Sequence, residues 1–206
     1  RTWSKGGPEP EDSAREMPPG FAAFEDELHQ NEALFRRIEA VYTSPDKAKL
    51  TPEQQRLTWK RYTEFVREGA KLDAAAKKRL GEINQRLAAL YTTFSQNVLA
   101  DEEQYAVILE TEADLAGLPD SVRAGAAAAG AGRGVKGKWA ITNTRSSMEP
   151  FLTYSSRRDL REQVWRHYVN RGDNGDARDN NKLISEVLAL RAERTRLLGY
   201  ATHAHW

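Results

Sequence analysis

The sequence predicts a mostly all-α protein, a multi-helix bundle with a small two-stranded β element. Apolar residues recur every three or four positions along most of the chain, as in amphipathic helices. Two short apolar, β-branched stretches, residues 105–111 and 138–142, break this rhythm and are typical of strands. With 206 residues, the chain is long enough to bury a core. We expect a flexible arm over residues 1–20 and a helical region over residues 21–206.

The first residues lack the helical pattern. Residues 1–20 contain four prolines and no apolar periodicity, so we predict a loop or disordered arm. From Phe21 onward the spacing is helical, and Asn31 is a suitable N-cap for a second helix. The Ser44–Asp46 segment, "SPD", is predicted to end that helix. The first helix has three apolar residues on one face: Phe21, Phe24 and Leu28.

The third helix has the clearest start signal. Thr51 is predicted as the N-cap, Pro52 as the first helical residue, and Gln54 as the partner in a capping box. Its predicted buried face consists of Trp59, Tyr62, Phe65 and Val66.

A long helix is predicted over residues 77–101, with Asp73 as its cap. Its apolar stripe is Leu80, Ile83, Leu87, Leu90, Tyr91, Phe94 and Val98. The helix ends in polar residues, Ser95, Gln96 and Asn97, that a core-filling helix does not require. This polar end is predicted to face a channel, the loop before residues 105–111 or a missing part of a larger protein.

Three helices are predicted in the second half. An Ala-rich helix starts near Pro119 and ends at glycines, and another starts with a capping box formed by Ser156 and Asp159. The turn-rich segment 171–181 then precedes a last helix that Gly199 ends.

Composition excludes several classes of function. The chain has 31 basic and 30 acidic residues, and this balance gives no reason to expect nucleic acid or an anionic membrane as a partner. It has no cysteine, which excludes disulfides, Cys-ligated zinc and thiol catalysis. No apolar run approaches the roughly 18 residues of a membrane span. We predict a cytoplasmic location, with the periplasm as the alternative because the chain begins with Arg1 and an export signal could have been removed.

The glycine-rich segment 132–139, "GRGVKGKW", approaches the pattern of a phosphate-binding loop. Such a loop follows a strand and precedes a helix, whereas here the predicted order is reversed. Trp139 also replaces the Ser or Thr that would hold magnesium. We therefore interpret the segment as a helix-to-strand turn.

Three other patterns suggest chemistry without completing a site. His203 and His205 could ligate zinc, but among the other residues only His29 and His167 are histidines, and no H-E-x-x-H is present. Residues 173–176, "DNGD", fail the calcium-loop pattern. Ser155 and Ser156 lack a G-x-S-x-G context and are better explained as a helix cap. We assign no catalytic, cofactor-binding or metal-binding residue.

Several blocks of the chain resemble one family. The segments 50–101, 113–119 ("ADLAGLP"), 138–172 and 188–206 resemble, in order, the N-terminal helical part of thimet-oligopeptidase and peptidyl-dipeptidase zinc metallopeptidases. The resemblance covers residues 24–206. The loop "RGDNGDARDNNKLI" favours the peptidyl-dipeptidase branch.

The resemblance implies a bilobed, mostly helical enzyme with a narrow channel for short peptides. It also implies a catalytic zinc held by an H-E-x-x-H helix and a distant Glu in the C-terminal half. This sequence ends before such a motif, so we expect the zinc ligands outside it and no catalysis by this segment alone. The implied partners are short peptides and the C-terminal catalytic half. The alternatives are a non-catalytic helical interaction domain of the same ancestry and, ranked far below, a phosphate-binding protein.

Overall fold

The computed structural model describes the backbone of residues 8–206 and the side chains of residues 19–206. This part of the chain forms eight α-helices and two short strands, which confirms the predicted fold class. The helices are α1 (Pro8–His29), α2 (Glu32–Thr43), α3 (Pro52–Arg67), α4 (Ala74–Gln104), α5 (Asp120–Gly132), α6 (Arg145–Tyr154), α7 (Arg158–Val169) and α8 (Asn181–Leu197). The strands are β1 (Ala106–Leu109) and β2 (Trp139–Thr142), and short 3₁₀ helices span Pro45–Lys49 and Glu112–Leu115.

The chain divides into two compact units. The first unit comprises Arg1–Thr93 and Leu183–Trp206, and the second comprises Phe94–Lys182. Helix α4 therefore contributes its first part to one unit and its last part to the other.

The prediction of a loop over residues 1–20 is wrong for residues 8–20, because α1 begins at Pro8. Residues 1–7 of the predicted arm lie outside the described residues. Proline is tolerated at the start of a helix, and composition alone did not separate this case from a loop.

The predicted helix starts of the first unit are confirmed. The Asn31 side chain accepts a hydrogen bond from the Leu34 amide, and Thr51 and Gln54 form the complete capping box of α3. The Asp73 carboxylate accepts from the Ala76 amide at 2.8 Å and caps α4. These bonds satisfy amide donors that a helix leaves unpaired at its start.

The core of the first unit forms around α2 and α3. Phe35, Phe65 and Ala70 are buried together, and Tyr62 packs against them. The prediction that Trp59 belongs to this buried face is wrong, since it is 43% exposed with the Arg56 guanidinium over its ring. The part of the α4 stripe that is fully buried consists of Leu80, Ile83, Leu87 and Leu90.

Helices α4 and α8 run antiparallel in this unit and are joined by two arginine–glutamate pairs. Arg79 makes two hydrogen bonds to Glu193, at 2.7 and 2.9 Å. One heptad further along α4, Arg86 makes the same paired contact with Glu186, at 2.6 and 2.8 Å. Both pairs are partly exposed, so they define the register of the two helices more than they stabilise them.

The second unit is built on the predicted hairpin. β1 pairs with β2 in antiparallel register, with Val107 opposite Ile141. The inward side chains of the strands join residues from α5, α6 and α7 in one apolar core, in which Phe151 is fully buried.

Two local predictions in this unit need correction. Helix α6, which contains Pro150, was not predicted. The capping box of Ser156 and Asp159 is wrong: α7 starts after Arg157, and it is the Ser155 hydroxyl that accepts from the Arg157 amide. The Ser156 amide instead donates to the Ala116 carbonyl oxygen.

Within the described residues, none of the helices combines the length and the apolar character needed to cross a membrane.

Candidate functional site

A charged cleft in the first unit is the candidate functional site. It has a volume of about 410 Å³ and is lined by residues of α1, α3, α4 and α8, together with Trp206 and Glu68. The α1 wall consists of Ala22, Glu25, Asp26 and His29, and the α4 wall of Asn84, Leu87, Ala88 and Tyr91. Both sets follow the spacing i, i+3, i+4, i+7, which places their members on one face of a helix.

Asn84 connects the two opposite charges of the cleft. Its amide nitrogen donates to Asp26 Oδ1 at 2.7 Å, and its amide oxygen lies 3.4 Å from Arg194 Nη1. The second oxygen of Asp26 is buried and has no hydrogen-bond partner among the described residues. The carboxylate and the guanidinium are therefore coupled through one amide and are not paired directly.

Burial perturbs the ionisation of three charged groups in the cleft lining. It raises the pKa of the Asp26 carboxyl, which the Asn84 hydrogen bond partly opposes. It also raises the pKa of Glu68, and it lowers the pKa of the Arg194 guanidinium. Partial burial disfavours the charged form of each group, so each gains from a ligand that offers the opposite charge.

Aromatic rings complete the walls. The Arg194 guanidinium carbon lies 4.0 Å from the centre of the Trp206 ring, and the Trp206 ring nitrogen donates to the Arg67 carbonyl at 3.3 Å. His29 Nδ1 donates to the Glu25 carbonyl oxygen at 2.9 Å, and the imidazole ring packs against Phe65. These contacts hold Arg194 and His29 in place beside the cavity.

The arrangement can bind a polar ligand. Carboxylates accept hydrogen bonds from ammonium or amide groups, and a guanidinium donates to carbonyl or carboxylate oxygens. Among the cleft residues there is no serine, threonine or lysine that a neighbouring base could activate.

The polar end of α4 has a structural role in the second unit. Asp101 is fully buried, and its Oδ2 accepts from the Gly172 amide and from the Asn174 side chain, both at 2.8 Å. Arg178 Nε lies 3.1 Å from Asp101 Oδ1. Asn97 donates to the buried Asn180 side chain at 2.8 Å. The structure places the turn-rich segment 170–180 against this end, whereas the loop predicted before residues 105–111 is instead the last turn of α4.

The other motifs do not form sites. Helix α5 ends at Gly132 and β2 begins at Trp139, which confirms the helix-to-strand turn, with Gly134 and Gly137 at φ values of 78° and 72°. The segment 173–176 is part of the loop held by Asp101, and the Asp179 carboxylate accepts from the Asn181 amide where α8 begins.

The three histidines outside the cleft lining make other contacts. His205 Nδ1 lies 2.8 Å from the Thr202 hydroxyl, and the His203 ring stacks on Trp206. His167 stacks on Tyr105 in the second unit. Among the side chains of residues 19–206, no group of three or more His, Cys, Asp or Glu is arranged to hold a metal ion. These residues therefore do not fit the zinc that the family resemblance implies.

Comparison with known proteins supports the resemblance. The profile of "Peptidase family M3" matches residues 151–206. The chain is 31% identical to Organellar oligopeptidase A, chloroplastic/mitochondrial, of Arabidopsis thaliana, over 97% of this chain and 26% of that protein. It is 34% identical to Oligopeptidase A of Haemophilus influenzae, over 84% of this chain and 26% of that protein. It is 30% identical to Dipeptidyl carboxypeptidase of Escherichia coli, over 90% of this chain and 27% of that protein. The chain thus spans little more than a quarter of the length of these relatives.

Proposed function

We propose that this chain, which is homologous to peptidase family M3 over nearly its whole length, forms part of the substrate-channel wall of a zinc-dependent oligopeptidase. The observation that carries the proposal is this homology, because it extends over 97% of the chain and involves proteins named for peptide hydrolysis. In this proposal, residues 21–206 are the N-terminal helical region of a larger bilobed enzyme.

The segment positions peptides and does not cleave them. The described residues offer no group of metal ligands, so the zinc and the water it activates belong to the remaining part of the enzyme. The charged cleft of the first unit supports a binding role, since it presents acceptors and donors in a cavity of suitable size. The substrates are short peptides, and the obligate partner is the C-terminal catalytic half.

Two measurements test the proposal. Zinc content and hydrolysis of fluorogenic peptides are determined for the purified 206-residue chain, and the gene is sequenced beyond the codon for Trp206. We expect neither stoichiometric zinc nor hydrolysis from the chain, and an H-E-x-x-H helix in the continued reading frame. Stoichiometric zinc or hydrolysis by the chain alone would contradict the non-catalytic role.

The second candidate function is a helical interaction domain that shares only ancestry with the peptidases. An exposed apolar stripe on α1, formed by Phe21, Phe24 and Leu28, which are 61%, 63% and 43% exposed, is expected under both candidates, because either the missing half of the enzyme or a separate partner would cover it. A stop codon directly after Trp206 would support this function and reject the channel wall.

Relatives with two different names, oligopeptidase A and dipeptidyl carboxypeptidase, match this chain. Proteins named oligopeptidase A and dipeptidyl carboxypeptidase match at 34% and 30% identity, so we propose hydrolysis of short peptides without choosing between the two branches. We propose the cytoplasm as the location.

A further inference from the structure

We propose that the charged cleft of the first unit binds the free amino end of a short peptide, with Glu68 accepting from the ammonium group and Arg194 donating to the first carbonyl oxygen. This inference rests on the proposed function, because it names the part of the peptide substrate that this segment holds.

The charge of the cleft favours a cationic group. Its lining has three carboxylates without an ion pair to a described residue, those of Glu25, Asp26 and Glu68, against one guanidinium, that of Arg194, while the Glu64 carboxylate is already paired with Lys60 and Arg61. A concave site lined by one predominant sign of charge concentrates ligands of the opposite sign. The α-ammonium group of a peptide carries one positive charge at neutral pH for most of its population.

The charged groups that face the cavity are not satisfied by one another. The half-buried Glu68 carboxylate makes neither a hydrogen bond nor an ion pair with any described residue. Arg194 Nε is buried without a partner among the described residues, and the guanidinium makes one long hydrogen bond, to Asn84. Partly buried charges are normally paired, so these two groups have unused capacity for a ligand.

Glu68 and Arg194 together offer the acceptor and the donors that the first residue of a peptide requires. An ammonium group offers three donors, which suits the Glu68 carboxylate because it accepts no hydrogen bond from a described residue. The adjacent carbonyl oxygen offers lone pairs, which suit the donors of the Arg194 guanidinium. Asp26 adds negative charge and holds the Asn84 amide in the orientation that faces Arg194. The Trp206 ring packs against the guanidinium.

The volume fits a small ligand. At about 410 Å³ the cleft lies in the lower part of the range of roughly 300–1,000 Å³ typical of ligand pockets. The first residues of a peptide fit such a space, whereas a folded protein does not.

Binding of triglycine to the purified chain, measured by ¹H–¹⁵N chemical-shift titration, tests the proposal. N-acetyl-triglycine is the matched probe, because it keeps the carbonyl and lacks the ammonium charge. We expect triglycine to shift resonances of the cleft residues and to bind at least about tenfold more tightly than the acetylated peptide, since a charge-assisted hydrogen bond contributes about 1.5–3 kcal/mol.

The matched variants are Glu68→Gln and Glu27→Gln. Glu68→Gln removes the charge with little change in shape, and we expect it to weaken triglycine binding about tenfold. Glu27 lies on α1 next to Asp26 but is exposed and outside the cleft lining, so Glu27→Gln should change the affinity less than about twofold. The spectrum of each variant shows directly whether it is folded, and Asp26→Asn serves as a second charge-removing variant.

The proposal is overturned if triglycine causes no shifts up to about 10 mM, if the acetylated peptide binds equally well, or if both charge-removing variants bind like the wild type. The titration needs neither zinc nor hydrolysis. Charge-dependent binding without an H-E-x-x-H motif beyond Trp206 would reject only the channel wall, and the motif without binding would reject only this inference.

Discussion

Replacing Asp101 by alanine should release the loop of residues 170–180 from the end of α4. The carboxylate is fully buried and receives the Gly172 amide, the Asn174 side chain and the Arg178 guanidinium. Alanine removes the acceptor and leaves all three donors without it.

The expected loss of stability depends on the number and type of donors that lose Asp101. Each buried donor left unpaired costs about 1–3 kcal/mol, and breaking a buried ion pair by deleting one partner costs about 3–5 kcal/mol. Because the three donors share one carboxylate, the costs overlap, and we expect Asp101→Ala to destabilise the loop by about 3–5 kcal/mol.

Hydrogen exchange measured by mass spectrometry follows this loop directly. Peptides covering residues 170–180 should lose protection in Asp101→Ala, with amide exchange faster by on the order of a hundredfold or more. The control is Glu103→Ala, because Glu103 lies on the same helix, is exposed, and contributes only its backbone carbonyl to a contact with Arg133. Equal protection of the loop in the two variants would refute the role assigned to Asp101.

Four further substitutions have expected outcomes. Burial raises the folded-state pKa of Asp26 above its usual 3.8, so the stability that this carboxyl contributes is complete below that value and is lost as the pH rises through the raised pKa. Asp26→Asn should therefore gain thermal stability relative to wild type as the pH rises above 3.8, and a difference in Tm that does not change with pH would contradict this. Gly117 has a φ of 86° and an added Cβ would lie 2.3 Å from the Tyr154 carbonyl oxygen, so Gly117→Ala should cost at least about 1–3 kcal/mol in urea unfolding. Gly125→Ala, in open space within α5, should instead gain about 0.5–1 kcal/mol, and similar effects at the two glycines would reject the argument. Phe151→Ala should cost about 3–5 kcal/mol by the same measurement, because the ring is fully buried, and a loss below about 1 kcal/mol would show that the core collapses around it.

The helices and their starts could be predicted from sequence because they depend on local interactions. The capping box of Thr51 and Gln54 and the cap at Asp73 involve residues three positions apart, and both are confirmed. The start of α7 was wrong because Ser155 and Ser156 both fit a cap, and the choice depends on a distant contact, that of the Ser156 amide with Ala116. Helix α6, which is only ten residues long and has Pro150 inside it, was not predicted.

The candidate site could not be predicted, because no local motif marks it. Its polar residues come from four helices, and Asp26 and Arg194 meet through Asn84 only after folding. One signal was available: Asn84 shares the i, i+3, i+4, i+7 positions with Leu87, Ala88 and Tyr91, so a polar side chain lies on an otherwise apolar helix face. The role of Asp101 likewise depends on residues about 70 positions away, as its contact with Gly172 shows.

The register between α4 and α8 has a consequence for the order in which the protein folds. The Arg79–Glu193 pair joins residues 114 positions apart, and the whole of the second unit, Phe94–Lys182, lies between the two segments of the first. A ribosome therefore releases a contiguous second unit, which can fold as soon as it emerges, before α8 exists to complete the first. Closing so long a loop is slow, but prior folding of the inserted unit shortens the flexible chain that must be closed. We thus expect the second unit to form first during synthesis, and the charged cleft, which needs Arg194, to be among the last features assembled.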